Sequence, residues 1–95
     1  MLFGKVVGTV VASQKDPKLV GLKLQLVAGI DSKGKAAKNY VVAADSVGAG
    51  QGEIVLFATG SSARQTDITN NKPVDAVIMA IVDQWDIDDK LVFKK

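Results

Sequence analysis

The chain has 95 residues, 47% of them hydrophobic and 23% charged, with a formal net charge of +2. That length suits a single domain, expected to span residues 1–95, with one core. The balanced charge excludes the dense cationic stripe of a nucleic-acid-tracking protein, and the absence of Cys and His excludes disulfides, Cys/His metal centres, thiolate nucleophiles and imidazole bases.

The first element is a strand over Leu2 to Ala12. Leu2, Val6, Val10 and Ala12 share one face with Gly4 and Gly8, and Phe3, Lys5, Val7, Thr9 and Val11 share the other. The same segment is a poor signal peptide, because no basic region precedes it and Lys5 interrupts it. No run approaches the ~20 apolar residues of a membrane span, so the expectation is a cytosolic protein with no membrane partner.

Ser13 to Lys18 is a polar connection, and Pro17 stops any central strand there. Leu19 to Ile30 alternates most cleanly. Val20, Leu22, Leu24, Leu26 and Ala28 are expected in the core, with Lys23 and Gln25 facing away. Asp31 to Gly34 is a turn signal, Lys33 to Lys38 a solvated hairpin loop, and Asn39 to Val47 a third strand.

Gly48, Gly50 and Gly52 then recur at every second position before a fourth strand, Glu53 to Thr59. Gly60 to Gln65 is expected to form one helical turn with Ser61 or Ser62 as its N-cap. Val74 to Trp85 is ambiguous. Pro73 and a stripe of Val74, Val77, Ile78, Ile81, Val82 and Trp85 fit a helix, whereas Val and Ile on both faces favour a buried strand. Asp83 to Lys90 reads as an acidic turn region, and Leu91 to Phe93 as a short last strand. The pattern as a whole points to a small antiparallel barrel or sandwich. Apolar residues on both faces of several strands point to a homo-oligomer.

Four groups are candidates for chemistry. Gly48-Ala49-Gly50-Gln51-Gly52 resembles a phosphate cradle, but the spacing is wrong for a dinucleotide fingerprint, a strand follows it, and no Gly-Lys-Ser/Thr is present. Tight packing against a neighbouring backbone is the favoured reading. Gly60 to Arg64 offers hydroxyls and a guanidinium to an anion, although pairing of Arg64 with a carboxylate of the same or a neighbouring chain is favoured. Asp83, Asp86, Asp88 and Asp89 lack the glycine and spacing of a calcium loop. Asp45 and Glu53 lack a nucleophile or an oxyanion hole to work with. No catalytic residue, metal ligand or cofactor is expected. The aromatics Phe3, Tyr40, Phe57, Trp85 and Phe93 lie on different strands without basic interleaving, so core packing is expected for most of them.

Five blocks then align with a known family. They are G-x-V-x-G-T-V-V at Gly4 to Val11, K-L-x-L-V at Lys23 to Val27, A-x-D-S-V-G-A-G-Q-G-E at Ala43 to Glu53, G-S-S-A-R at Gly60 to Arg64, and P-V-D-A-V-I-M-A-I-V-D at Pro73 to Asp83. Taken together they resemble the vertex proteins of bacterial microcompartment shells, the EutN/CcmL type. The resemblance implies an all-β fold, a small five-stranded OB-like closed barrel with one short helix. It makes Val74 to Asp83 a strand. It also implies a ring-shaped homopentamer that closes the vertices of a carboxysome- or metabolosome-type shell tiled by hexameric shell proteins, with no enzymatic role. It places Gly48, Ala49, Gly50, Gly52, Glu53, Ser61, Ser62 and Arg64 near subunit contacts and the five-fold axis, with Ser61 and Ser62 as pore candidates. Trp85 to Lys95 matches the family least. The alternative reading is an OB-like barrel binding single-stranded nucleic acid or a small anionic ligand, and the five blocks favour the shell protein over it.

Overall fold

The computed structural model describes every residue from Met1 to Lys95. Seven strands follow in chain order: β1 (Leu2–Val10), β2 (Leu24–Ile30), β3 (Ala36–Asp45), β4 (Ile54–Thr59), β5 (Ala76–Ile81), β6 (Gln84–Ile87) and β7 (Lys90–Lys94). Short 3-10 helices occupy Pro17–Leu19 and Gly60–Arg64. The first five strands close a barrel in the order β1-β2-β3-β5-β4, and β6 and β7 form a separate two-stranded sheet. All barrel pairings are antiparallel except β3 with β5, where Ala44 faces Val77 and Asp45 faces Ile78.

The barrel interior holds Val6, Val27, Ala43, Ala49, Val55, Phe57, Ala76 and Ile78. Small residues dominate it, as a narrow barrel requires. Gly4 shows the limit of space, because a Cβ there would collide with Val27 Cγ1 and lie 2.9 Å from the Phe57 ring. A second cluster of Ala44, Ala58, Ala63 and Val77 sits on the outer side of the wall, where the 3-10 helix Gly60–Arg64 covers it. Pleating explains the pair of clusters: Ala43 and Ala44 are neighbours in β3, and Val77 lies between Ala76 and Ile78 in β5.

Several expectations are corrected here. In β2 the inward residues are Gln25 and Val27, not the leucines; Leu24 and Leu26 are half-buried outside. Alternation with period two defines two faces but leaves open which one is inside. In β1 a register shift between Val6 and Gly8 turns the strand over, so Val6 points inward before it and Thr9, paired with inward Gln25, after it. Leu19 and Val20 lie outside β2, and β3 starts at Ala36 rather than Asn39, because a tight loop closes the β2–β3 hairpin. There the Asp31 carboxylate accepts the backbone N–H groups of Lys33 and Lys35, both at 2.9 Å.

The helical turn is a 3-10 helix that begins at Gly60. Thr59 holds its cap position without a side-chain bond, so neither Ser61 nor Ser62 is an N-cap. The acidic region 83–90 contains β6 and a two-residue hairpin turn, Asp88-Asp89, both at positive φ. Of the five aromatics only Phe57 is in the core; Tyr40 is exposed, and Phe3, Trp85 and Phe93 stack on one another. No helix is long and apolar enough to cross a membrane.

Candidate functional site

The glycine loop between β3 and β4 is built from its first residue. Asp45 Oδ1 accepts the N–H groups of Val47 and Gly48, both at 3.0 Å, which turns the chain off the end of β3. Gln25 Nε2 donates to the Ala49 carbonyl at 2.7 Å and to Asp45 Oδ2 at 3.3 Å, while Gln25 Oε1 accepts from Thr9 Oγ1 at 3.3 Å. The side chain of Ala49 is thereby drawn into the barrel core. The Ser46 hydroxyl donates to the Ile78 carbonyl at 2.5 Å.

A second turn follows. Glu53 N–H donates to the Gly50 carbonyl at 3.2 Å, and the Gly50 N–H donates to Glu53 Oε1 at 2.6 Å. Gly52 N–H donates to the Val6 carbonyl at 2.7 Å, and Val6 N–H donates back to the Glu53 carbonyl at 3.0 Å. These bonds sew the loop to β1. Gly48 and Gly52 have φ of +74° and +89°, which explains the need for glycine at these two positions.

This geometry decides against the phosphate cradle. Each loop glycine N–H is already taken, by Asp45, Glu53 and Val6 respectively. What the loop offers outward is backbone: Val47, Gly48 and Gly50 to Gly52 are exposed. Ala49 departs from expectation, because it is fully buried within its own chain.

Glu53 also pairs with Lys95, Nζ to Oε2 at 2.6 Å. The Lys95 side chain and the Gly50 N–H hold the Glu53 carboxyl below its ordinary range, and Glu53 holds the Lys95 ammonium above its own. Lys95 carries no local signal that would mark this role in the sequence. Gln25 does carry one: it is a lone neutral polar residue in an otherwise apolar stretch, Leu24 to Ile30.

The second candidate group stands apart. The loop leads into β4 and Gly60–Arg64 leaves its far end, so a strand of six residues separates them, about 20 Å. Ser61, Ser62 and Arg64 are exposed, and Ala63 beneath them is buried. Arg64 pairs with no carboxylate of its own chain; Nη1 donates to the Val74 carbonyl at 3.2 Å. Its guanidinium lines an open cleft with Lys18, Asn71, Lys72 and Pro73. The four aspartates near the C-terminus are spread along β6 and its turn and do not converge on a metal-sized site. The aromatics form no stacking platform, since Phe3, Trp85 and Phe93 use their faces on one another.

The outer wall carries part of the exposed apolar surface, which also includes Val11, Val20 and Leu91. Tyr40 and Val42 of β3 are 64% and 46% exposed. They lie opposite Ala28 and Leu26 of β2.

Comparison with known proteins is consistent throughout. The family described as ethanolamine utilisation protein EutN/carboxysome matches residues 1–83. The carboxysome shell vertex protein CcmL of Gloeobacter violaceus is 47% identical over 95 residues, covering all of this chain and 95% of that protein. CcmL of Nostoc sp. is 48% identical over 96 residues, again with all of this chain and 95% of that protein covered. The solved Gloeobacter violaceus CcmL superposes with a TM-score of 0.96 over 100% of this chain and 98% of that one. GrpN of Rhodospirillum rubrum, a pentameric microcompartment shell protein, gives a TM-score of 0.84 at 42% identity, covering 92% of this chain and 99% of that one.

Proposed function

Because the chain belongs to the EutN/CcmL family, we infer that it is a structural shell protein, not an enzyme, which forms pentameric vertices in the shell of a bacterial microcompartment. The observation that carries this reading is the family match over residues 1–83 with a relative 47% identical along the whole chain.

The fold supplies what a ring needs. A cyclic assembly closes through heterologous contacts, so each protomer must offer two different surfaces. Two candidates support the reading, the backbone-rich loop at one end of β4 and the Gly60–Arg64 segment at the other, with exposed Tyr40 and Val42 besides. We assign Gly48, Gly50, Gly52 and Glu53 to the seam between protomers, where bare backbone lets a neighbour come close. Ala49 acts from behind, through its carbonyl bond to Gln25. Ser61, Ser62 and Arg64 form the second contact set, with the two serines facing the five-fold axis. Hexameric shell proteins are the proposed outer neighbours of the ring, and residues 1–95 act as one assembly unit.

Sedimentation equilibrium tests the reading. The expected mass is five times the chain mass of 10.0 kDa. A monomer or dimer at all concentrations overturns it.

A further inference from the structure

The β6–β7 hairpin makes no backbone ladder with the barrel, and a two-stranded sheet alone is marginal in water. Two contacts made by Trp85 hold it to the barrel instead, and one internal bond closes its base. Trp85 stacks between Phe3 and Phe93, with ring centroids at 4.4 and 5.2 Å. The Trp85 indole N–H donates to the Ser32 carbonyl at 2.8 Å, across to the β2–β3 loop. The Lys95 N–H donates to the Asp83 carbonyl at 2.8 Å, which closes the base of the hairpin.

Together these contacts deliver the Lys95 ammonium to Glu53. One Glu53 oxygen takes Lys95 at 2.6 Å and the other takes the Gly50 N–H at 2.6 Å. A single carboxylate therefore joins the hairpin to the glycine loop. The loop is also tied to β1 through Gly52 and to Gln25 through Ala49, so the Glu53 carboxylate adds its hold at Gly50 to those bonds. The family model ends at residue 83, but the Gloeobacter violaceus CcmL structure superposes over the whole chain, so that structure also covers the hairpin, which here reaches back into the barrel.

We propose that the β6–β7 hairpin is a strap that sets the glycine loop for assembly, with Lys95 as the positioning residue acting through Glu53. This rests on the reading of the loop as a seam between protomers. Lys95 need not touch the neighbouring protomer; it selects the loop conformation that the neighbour meets.

Lys95→Met and Lys95→Arg test it in the full chain, by amide exchange at Gly50 and by the protomer concentration at which the ring dissociates. Lys95→Met is expected to speed Gly50 exchange and to raise the dissociation concentration about twofold to fivefold at low salt, the scale of an exposed pair. Lys95→Arg is expected to restore both. Added salt should bring wild type and Lys95→Met together, because the pair is partly exposed and screened. Unchanged Gly50 exchange in Lys95→Met overturns the strap. Faster exchange with an unchanged ring overturns its link to assembly. If the wild type never forms a pentamer the seam reading fails, while Gly50 exchange still decides whether the strap exists.

Discussion

Gln25 reaches across the barrel interior to the carbonyl of Ala49, Nε2 to O at 2.7 Å, although β2 and the glycine loop are not hydrogen-bonded strands. The same amide donates to Asp45 and accepts from Thr9, so one buried side chain satisfies three partners and no buried side-chain polar atom is left over. Gln25→Leu fits the volume but strands the Ala49 carbonyl and one Asp45 oxygen. A loss of about 1–3 kcal/mol is expected, the cost of unsatisfied buried groups. Urea denaturation measures it; a midpoint equal to wild type would show that the network contributes nothing.

That bond also marks where the sequence ran out. Strand existence was legible from alternation, and the family blocks made Val74 to Asp83 a strand. Which face of β2 is inside was not, because the deciding partner of Gln25 is 24 residues away. The position of Lys95 was hidden for the same reason: its partner Glu53 is 42 residues distant. The glycine loop was legible as special but for a mixed reason. Gly48 and Gly52 answer to backbone angle, whereas Gly50 has an ordinary φ and needs another explanation. The acidic turn region expected over Asp83 to Lys90 does contain a turn, at Asp88-Asp89, but strand β6 within it was not legible, because aspartate is a weaker hairpin signal than Asn-Gly.

The hairpin turn is therefore improvable. Asp88 and Asp89 have φ of +51° and +63°, the signs a two-residue primed turn demands of both central residues. Asp89→Gly is expected to stabilise the hairpin by up to about 1 kcal/mol, the low end of the left-handed penalty, because aspartate tolerates that conformation better than most residues. Asp89→Val, β-branched at positive φ, is expected to melt it. Near-ultraviolet circular dichroism of Trp85 on heating reads both, since Trp85 is the sole tryptophan. A higher melting point for the valine variant than for the glycine variant would refute the turn assignment.

The β2–β3 loop should respond to acid. The Lys35 N–H, and after it the Lys33 N–H, hold the Asp31 carboxyl below its ordinary range. A depressed carboxylate contributes stability that is fully present above its unfolded pKa, about 3.9, and is lost as pH falls through the lower folded value. The Lys33 and Lys35 amide resonances are expected to shift together below about pH 3.9, and to lose that transition in Asp31→Asn. A transition above the ordinary aspartate range would contradict the assigned cause.

Gly4 and Gly50 separate folding from assembly. A Cβ at Gly4 meets Val27 and the Phe57 ring inside the barrel, where nothing can move aside cheaply. A Cβ at Gly50 meets only Glu53 Oε1 at 3.2 Å, the end of a flexible and partly exposed side chain. Gly4→Val is therefore expected to unfold the barrel, since overpacking alone costs typically about 1–3 kcal/mol and a branched side chain here has no room to relax. Gly50→Val is expected to keep the barrel, with a melting profile close to wild type, and, on the proposed seam, to lose the pentamer, because its isopropyl group would then meet the neighbouring protomer. Circular dichroism and sedimentation on the same two samples decide the matter. A folded Gly50→Val that still sediments as five chains would remove the glycine loop from the seam, and Gly50 would then have no role that requires glycine.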